Sequence, residues 1–212
     1  THKTSSAASD VYKRQPLTPL LIACDKGHIN ALELLLDKGA DANQAIKNSG
    51  TPLQAVCEKG HVDAVRLLLD KGAKVDLSYD KRRMTPLYIA CNEGHVNIVQ
   101  ILFDNGADVN KANKYYNALY IACEKNHIDI VRLLLDNGAD VDWTNDVQCT
   151  PLYVACHKGH IDVARLLLKH GAEVNMAKEE GWTPLLVACY HGHRDVVRLL
   201  LDKGAVVDLM NE

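Results

Sequence analysis

The sequence predicts an all-α fold, a solenoid of six helix-turn-helix units joined by β-hairpin-like loops, and three observations predict it. A Thr-Pro-Leu opening recurs at Thr18, Thr51, Thr85, Thr150 and Thr183, with a degraded copy, Asn117-Ala118-Leu119, between the third and the fifth. Steps between openings are 33, 34, 32, 33 and 33 residues, a period that belongs to stacked repeat architectures. A Gly-Ala pair keeps the same register, beginning at Gly39, Gly72, Gly106, Gly138, Gly171 and Gly204. Between opening and Gly-Ala lie two apolar segments of helical spacing. Each is too short to persist alone in water, so neighbouring units must supply its stability.

The fifth unit, residues 150–175, shows the logic element by element. Thr150 is a good N-cap, and Pro151 suits the first helical position, where its missing N–H costs nothing. The first helix runs to Gly159, a residue that closes a helix in the left-handed conformation. His160 opens a second helix of about three turns that Gly171 ends. Within it Ile161, Val163, Ala164, Leu166, Leu167 and Leu168 are apolar, while Asp162, Arg165 and Lys169 mark a polar stripe. The stripe recurs as Asp63/Arg66/Asp70, Asp129/Arg132/Asp136 and Asp195/Arg198/Asp202 and reads as a solvated outer face.

These residues resemble the ankyrin repeat. Thr-Pro-Leu, Ala-Cys where the family usually has Ala-Ala, Gly-His, Leu-Leu-Leu and Gly-Ala-Asp-Val-Asn form its skeleton, and the resemblance covers residues 16–212. It implies a right-handed stack with units at about 16–45, 46–79, 80–112, 113–144, 145–177 and 178–212. One departure recurs. After Thr-Pro-Leu the family prefers His, whereas this chain has Leu21, Gln54, Tyr88, Tyr120, Tyr153 and Leu186, which puts in question any hydrogen bond that His carries. Asn43, Asn110 and Asn175 stand where the family's asparagines can be hydroxylated.

Residues 1–15 carry no repeat signal and are expected to be a non-native or disordered leader. Ser5 to Gln15, SSAASDVYKRQ, reads as the translation of a transposase adapter used in sequencing libraries, and is set aside from fold reasoning. Formal charge is −3 for the chain and −5 without Lys3, Asp10, Lys13 and Arg14. A mildly acidic array lacks the basic balance of a nucleic-acid binder, and no apolar run reaches the length of a membrane span.

Six of the seven cysteines, Cys24, Cys57, Cys91, Cys123, Cys156 and Cys189, share one position in every unit. Equivalent points on packed helices lie roughly 8–10 Å apart, too far for a disulfide, which needs Cα atoms within about 7 Å. They read as small buried side chains, and so many free thiols imply a reducing compartment, the cytoplasm or the nucleus. Cys149 stands outside the register and is expected to be the reactive one. His28, His61, His95, His127, His160 and His193 open second helices and read as structural; His157, His170 and His191 could approach one another, but no metal-site spacing accompanies them. No metal or cofactor is therefore implied. No P-loop, nucleophile elbow or kinase signature occurs, and six copies of one unit do not converge different groups on a point, so no enzyme is predicted.

Function then lies where the units differ. In the ankyrin family the variable positions are the loop before Thr-Pro-Leu and the two residues before the first Gly, here including Asn92-Glu93, Glu124-Lys125 and His157-Lys158. Two adjacent loops break the period: one carries Tyr79 with Arg82 and Arg83, the next Lys114, Tyr115 and Tyr116. Arg and Tyr are enriched where binding energy concentrates. With Trp143 beside them, these residues are the expected partner-binding set. The partner is another protein, one with an acidic or phosphorylated surface, and neither nucleic acid nor a membrane. Tyr88, Tyr120 and Tyr153 are expected to pack between units. The resemblance implies a non-catalytic interaction scaffold working through its concave face and loop tips; the rival is a recruiting segment of a larger kinase- or ubiquitin-ligase-type enzyme. Both ends lack a polar terminal face, so a fragment of a longer array or of a multidomain protein is expected.

Overall fold

In the computed structural model the described residues are 18–46, 50–79, 84–113 and 115–209. They form twelve α-helices and one short 3-10 turn, Glu179–Gly181. First helices are α1 (Pro19–Lys26), α3 (Pro52–Lys59), α5 (Pro86–Glu93), α7 (Ala118–Glu124), α9 (Pro151–Lys158) and α11 (Pro184–Tyr190). Second helices are α2 (Ile29–Asp37), α4 (Val62–Asp70), α6 (Val96–Asp104), α8 (Ile128–Asp136), α10 (Ile161–Lys169) and α12 (Arg194–Asp202). Each first helix packs on its own second helix and on the first helices of the units before and after, and second helices stack likewise. The core is one apolar strip running from Leu20 to Ala205 along the stack. A row of units, not a closed globule, is the result.

The caps are those the residues call for. The side chains of Thr18, Thr51, Thr85, Asn117, Thr150 and Thr183 each accept the backbone N–H three residues on, at 3.3, 3.2, 3.1, 2.6, 3.0 and 3.2 Å. The loops are hairpin-like in outline only. Among the described residues they contain one antiparallel bridge, between Ile46 and Gly50, and otherwise close through turn bonds such as Lys178 N–H to the Trp182 carbonyl.

Three series of bonds join unit to unit, and two were not foreseen. The histidine before each second helix makes no cap bond. Instead Nε2 of His61, His127, His160 and His193 meets the carbonyls of Asp25, Asn92, Glu124 and His157 in the preceding unit, at 3.2, 3.4, 3.2 and 3.1 Å. The rings of His61, His95, His127 and His193 lie on the preceding unit's helix-ending glycine. At Gly60, with φ at +74°, an added Cβ would stand 2.7 Å from the His95 ring. Glycine is thus required twice over there, by backbone conformation and by space.

In the second series, the last residue of each Gly-Ala-Asp-Val-Asn segment pins the next unit. Asn43 donates to the Gly72 carbonyl at 3.0 Å and accepts from Lys74 N–H at 2.7 Å; Asn110 does the same with Gly138 and Asp140 at 3.1 and 2.9 Å. Asp76 and Asp142 occupy this position in units two and four. They can only accept, from Asp108 N–H at 3.2 Å and Glu173 N–H at 3.0 Å. The other oxygen of Asp76 is buried with no hydrogen-bond partner among the described residues. Burial, with Glu173 and Asp140 nearby, raises the Asp142 carboxyl above its ordinary range, against the Glu173 N–H that lowers it.

Candidate partner-binding surface

The third series starts from the residue after Thr-Pro-Leu. Gln54 closes a capping box by accepting the Thr51 N–H at 2.7 Å, then donates to the Met84 carbonyl of the next unit at 2.7 Å. Tyr88 reaches into the next unit to Tyr116, ring centroids 5.9 Å apart, and Tyr120 meets Trp143 edge-on at 6.1 Å. Tyr153 lies under the Lys178 ammonium, 5.9 Å from its ring centre. Tyr88 and Tyr153 therefore reach across unit boundaries, as expected, whereas Tyr120 packs within its own unit. Burial pushes the phenols of Tyr120 and Tyr153 up.

Tyr116 connects these joints. Its ring lies 6.2 Å from Tyr115 and 6.4 Å from Tyr120, so Tyr88, Tyr115, Tyr116, Tyr120 and Trp143 form one aromatic run across units three and four. Tyr115 and Tyr116 turn exposed surface outward, and both of their N–H groups are held by the Asn113 side chain at 2.8 Å. The turn is thus fixed although its tip is wet. Trp143 is half-buried against Tyr120 and acts first as a packing residue. Tyr79 is exposed. Arg82, Arg83 and Lys114 lie outside the described residues.

At the ends of the first helices, Asn92 donates to Glu93 at 2.5 Å, and Glu124 is half-buried beside exposed Lys125. In units one and two the same positions are self-paired: Lys26 with Asp25 at 3.0 Å, Lys59 with Glu58 at 3.0 Å and with Asp25 at 3.8 Å. Units five and six differ. His157 meets His191 edge-on at 4.5 Å, His191 meets Tyr190 at 5.0 Å and stacks on His193 at 5.9 Å, and Tyr190 meets Trp182 at 5.5 Å. Sequence reasoning joined His157 to His191 but took His193 as structural only. The signal was present, since Tyr190 and His191 hold variable positions. His170, grouped with them on sequence, takes no part in these ring contacts. Among the described residues no His, Cys, Asp and Glu group is arranged to hold a metal ion.

The profile described as ankyrin repeats (3 copies) matches residues 4–79, 76–145 and 119–211. The chain belongs to the ankyrin-repeat family. Its fold is similar to the crystal structure of the human ASB11 ankyrin repeat domain, with 31% identity, a TM-score of 0.84, and coverage of 92% of this chain and 87% of that one. No curated protein sequence matches. Where other ankyrin units use His after Thr-Pro-Leu, Gln54 supplies both a cap bond and a cross-unit bond by itself. The ankyrin cysteines are buried in units one to five, and burial pushes the Cys24 and Cys156 thiols up to about 12. Cys189 of unit six is exposed. Cys149 corrects the expectation of reactivity. It is 8% exposed, and burial raises its thiol although Lys178 opposes the rise. A neutral, covered thiol is a poor nucleophile.

Proposed function

We propose that this ankyrin array is a non-catalytic scaffold that binds another protein through its concave face and loop tips, with the centre of the site at units three and four. Ankyrin repeats are protein–protein interaction modules, and the chain is one such array. The observation that carries the location is the aromatic run from Tyr88 to Trp143, which anchors exposed Tyr115 and Tyr116 on a fixed turn. Anchored aromatics give contact area at low cost in side-chain entropy, the property that concentrates binding energy. Tyr79, with Arg82 and Arg83 after it and Lys114 beside Tyr115 in sequence, gives the site a cationic, aromatic character that favours an acidic partner surface. Asn92, Glu93, Glu124 and Lys125 flank it along the first helices.

Affinity capture from the source cell followed by quantitative binding tests the reading. Alanine at Arg82, Arg83, Tyr115 and Tyr116 is expected to weaken the captured partner by tenfold or more, about 1.4 kcal/mol at the least. Unchanged affinity with an unchanged circular-dichroism melt would remove these loops from the site.

A further inference from the structure

The first-helix ends change character along the array. In units one and two each lysine there is paired with a carboxylate, Asp25 or Glu58. In units five and six the positions are His157-Lys158 and Tyr190-His191, and no carboxylate stands among them. Tyr190 is 74% exposed, the most exposed of the large apolar side chains among the described residues, and it is braced edge-on by Trp182 and His191. Lys158 and His191 are exposed and His157 is half-buried. An aromatic anchor rimmed by one lysine and two imidazoles complements a peptide carrying carboxylates around an apolar side chain.

We propose that this face of units five and six is a second docking patch, for a carboxylate-rich segment of a partner protein, and that it binds more tightly as pH falls. The proposal rests on the array being an interaction scaffold but uses none of the residues of the loop site. The charged and titratable groups around His157 are His191 just after α11, His193 just before α12, Lys158 on its own helix and Glu124 from α7. Burial, His191, Lys158 and His193 hold its imidazole below the ordinary value, and Glu124 opposes them. A bound carboxylate favours the protonated form of His157, so docking and proton uptake favour each other. His193 is not itself free to swing, because its Nε2 meets the His157 carbonyl at 3.1 Å. The His193 ring against which His191 stacks is therefore held on a fixed joint while the charge of His157 changes.

The test is a fluorescence-anisotropy titration of a labelled Glu/Phe-rich peptide against the whole chain at about pH 7.5 and about pH 5.5, spanning the ordinary histidine range. Binding about tenfold tighter at the lower pH is expected. The pH dependence should vanish in the double variant His157→Gln/His191→Gln, affinity should fall in Tyr190→Ala, and both should persist in Tyr115→Ala/Tyr116→Ala. A Lys/Phe-rich peptide should not bind the patch. Affinity independent of pH, pH dependence retained in the double glutamine variant, or equal binding of the lysine peptide would overturn the proposal. Loss of peptide binding only in the Tyr115/Tyr116 variant would also overturn it, while leaving the loop site intact as the scaffold's own surface. Each variant is scored at matched helicity by circular dichroism.

Discussion

Units two and four do the same job with different materials. Helix α3 begins on a full capping box, Thr51 with Gln54, has Pro52 at its first position, and ends on Gly60 in the left-handed region. Helix α7 begins on Asn117, has Ala118 where the proline stands elsewhere, and is a residue shorter; Asn126 takes the left-handed role at φ 61°. The Asn117 cap bond is short at 2.6 Å, but its amide nitrogen is buried with no hydrogen-bond partner among the described residues. A threonine hydroxyl leaves no such remnant. Even so, His160 reaches Glu124 at 3.2 Å, the distance from His61 to Asp25. The joint between units thus survives weakening of the local signals. In a stack whose stability is a sum of unit and interface contributions, unit four is the soft point.

Substitutions can break or sharpen that contrast. The largest effect is expected from Gly60→Ala, which forces a Cβ into a left-handed site against the His95 ring and should destabilise by about 1–3 kcal/mol in urea denaturation. Next comes Gln54→Ala, which removes a cap bond and the bond to Met84 together; a loss of about 1–2 kcal/mol is expected. Asn117→Thr works in the other direction. By removing the unpartnered amide it should stabilise by about 1 kcal/mol, with amide exchange slowing first in α7 and α8. Asn126→Gly should add about 0.5 kcal/mol or less, since the asparagine already tolerates the conformation. No gain from either substitution would mean that unit four is not the soft point.

The smallest change concerns pH at the latch of unit four. The folded-state pKa of Asp142 is raised above the unfolded value. Its charged form therefore costs stability fully above the folded pKa, and the cost fades as pH falls towards the unfolded pKa, below which it is gone. Asp142→Asn should remove that slope and restore the two-way latch seen at Asn43 and Asn110. A denaturation profile against pH that keeps its slope in the variant would contradict this.

The units, the helix limits and the caps were legible because each is written in local chemistry: Thr then Pro to start, Gly to stop, apolar residues at helical spacing. The two-way role of Gln54 was not. It replaces a family histidine, and only the position of the Met84 carbonyl shows that the bond has been re-made. The second-helix histidines were seen to recur, but their partners lie 35 or 36 residues upstream as backbone carbonyls, which carry no signature in a sequence. For the binding surface, exposure was the hidden variable. Trp143 and Tyr190 look alike as aromatics near loops, yet one is half-covered by Tyr120 and the other stands in solvent. Cys149 was misread for the same reason, since being out of register says nothing about being out of contact.

A histidine that grips the carbonyl one period behind it has a consequence for how such proteins change length. Every joint asks the same thing of its neighbours, a left-handed seat on one side (glycine, or Asn126 in unit four) and an imidazole on the other. Cutting out one whole module, or copying one in, leaves each remaining imidazole facing a seat and a backbone carbonyl. A gene can therefore lengthen or shorten this surface by recombination in steps of one period, and the product inherits joints that already work.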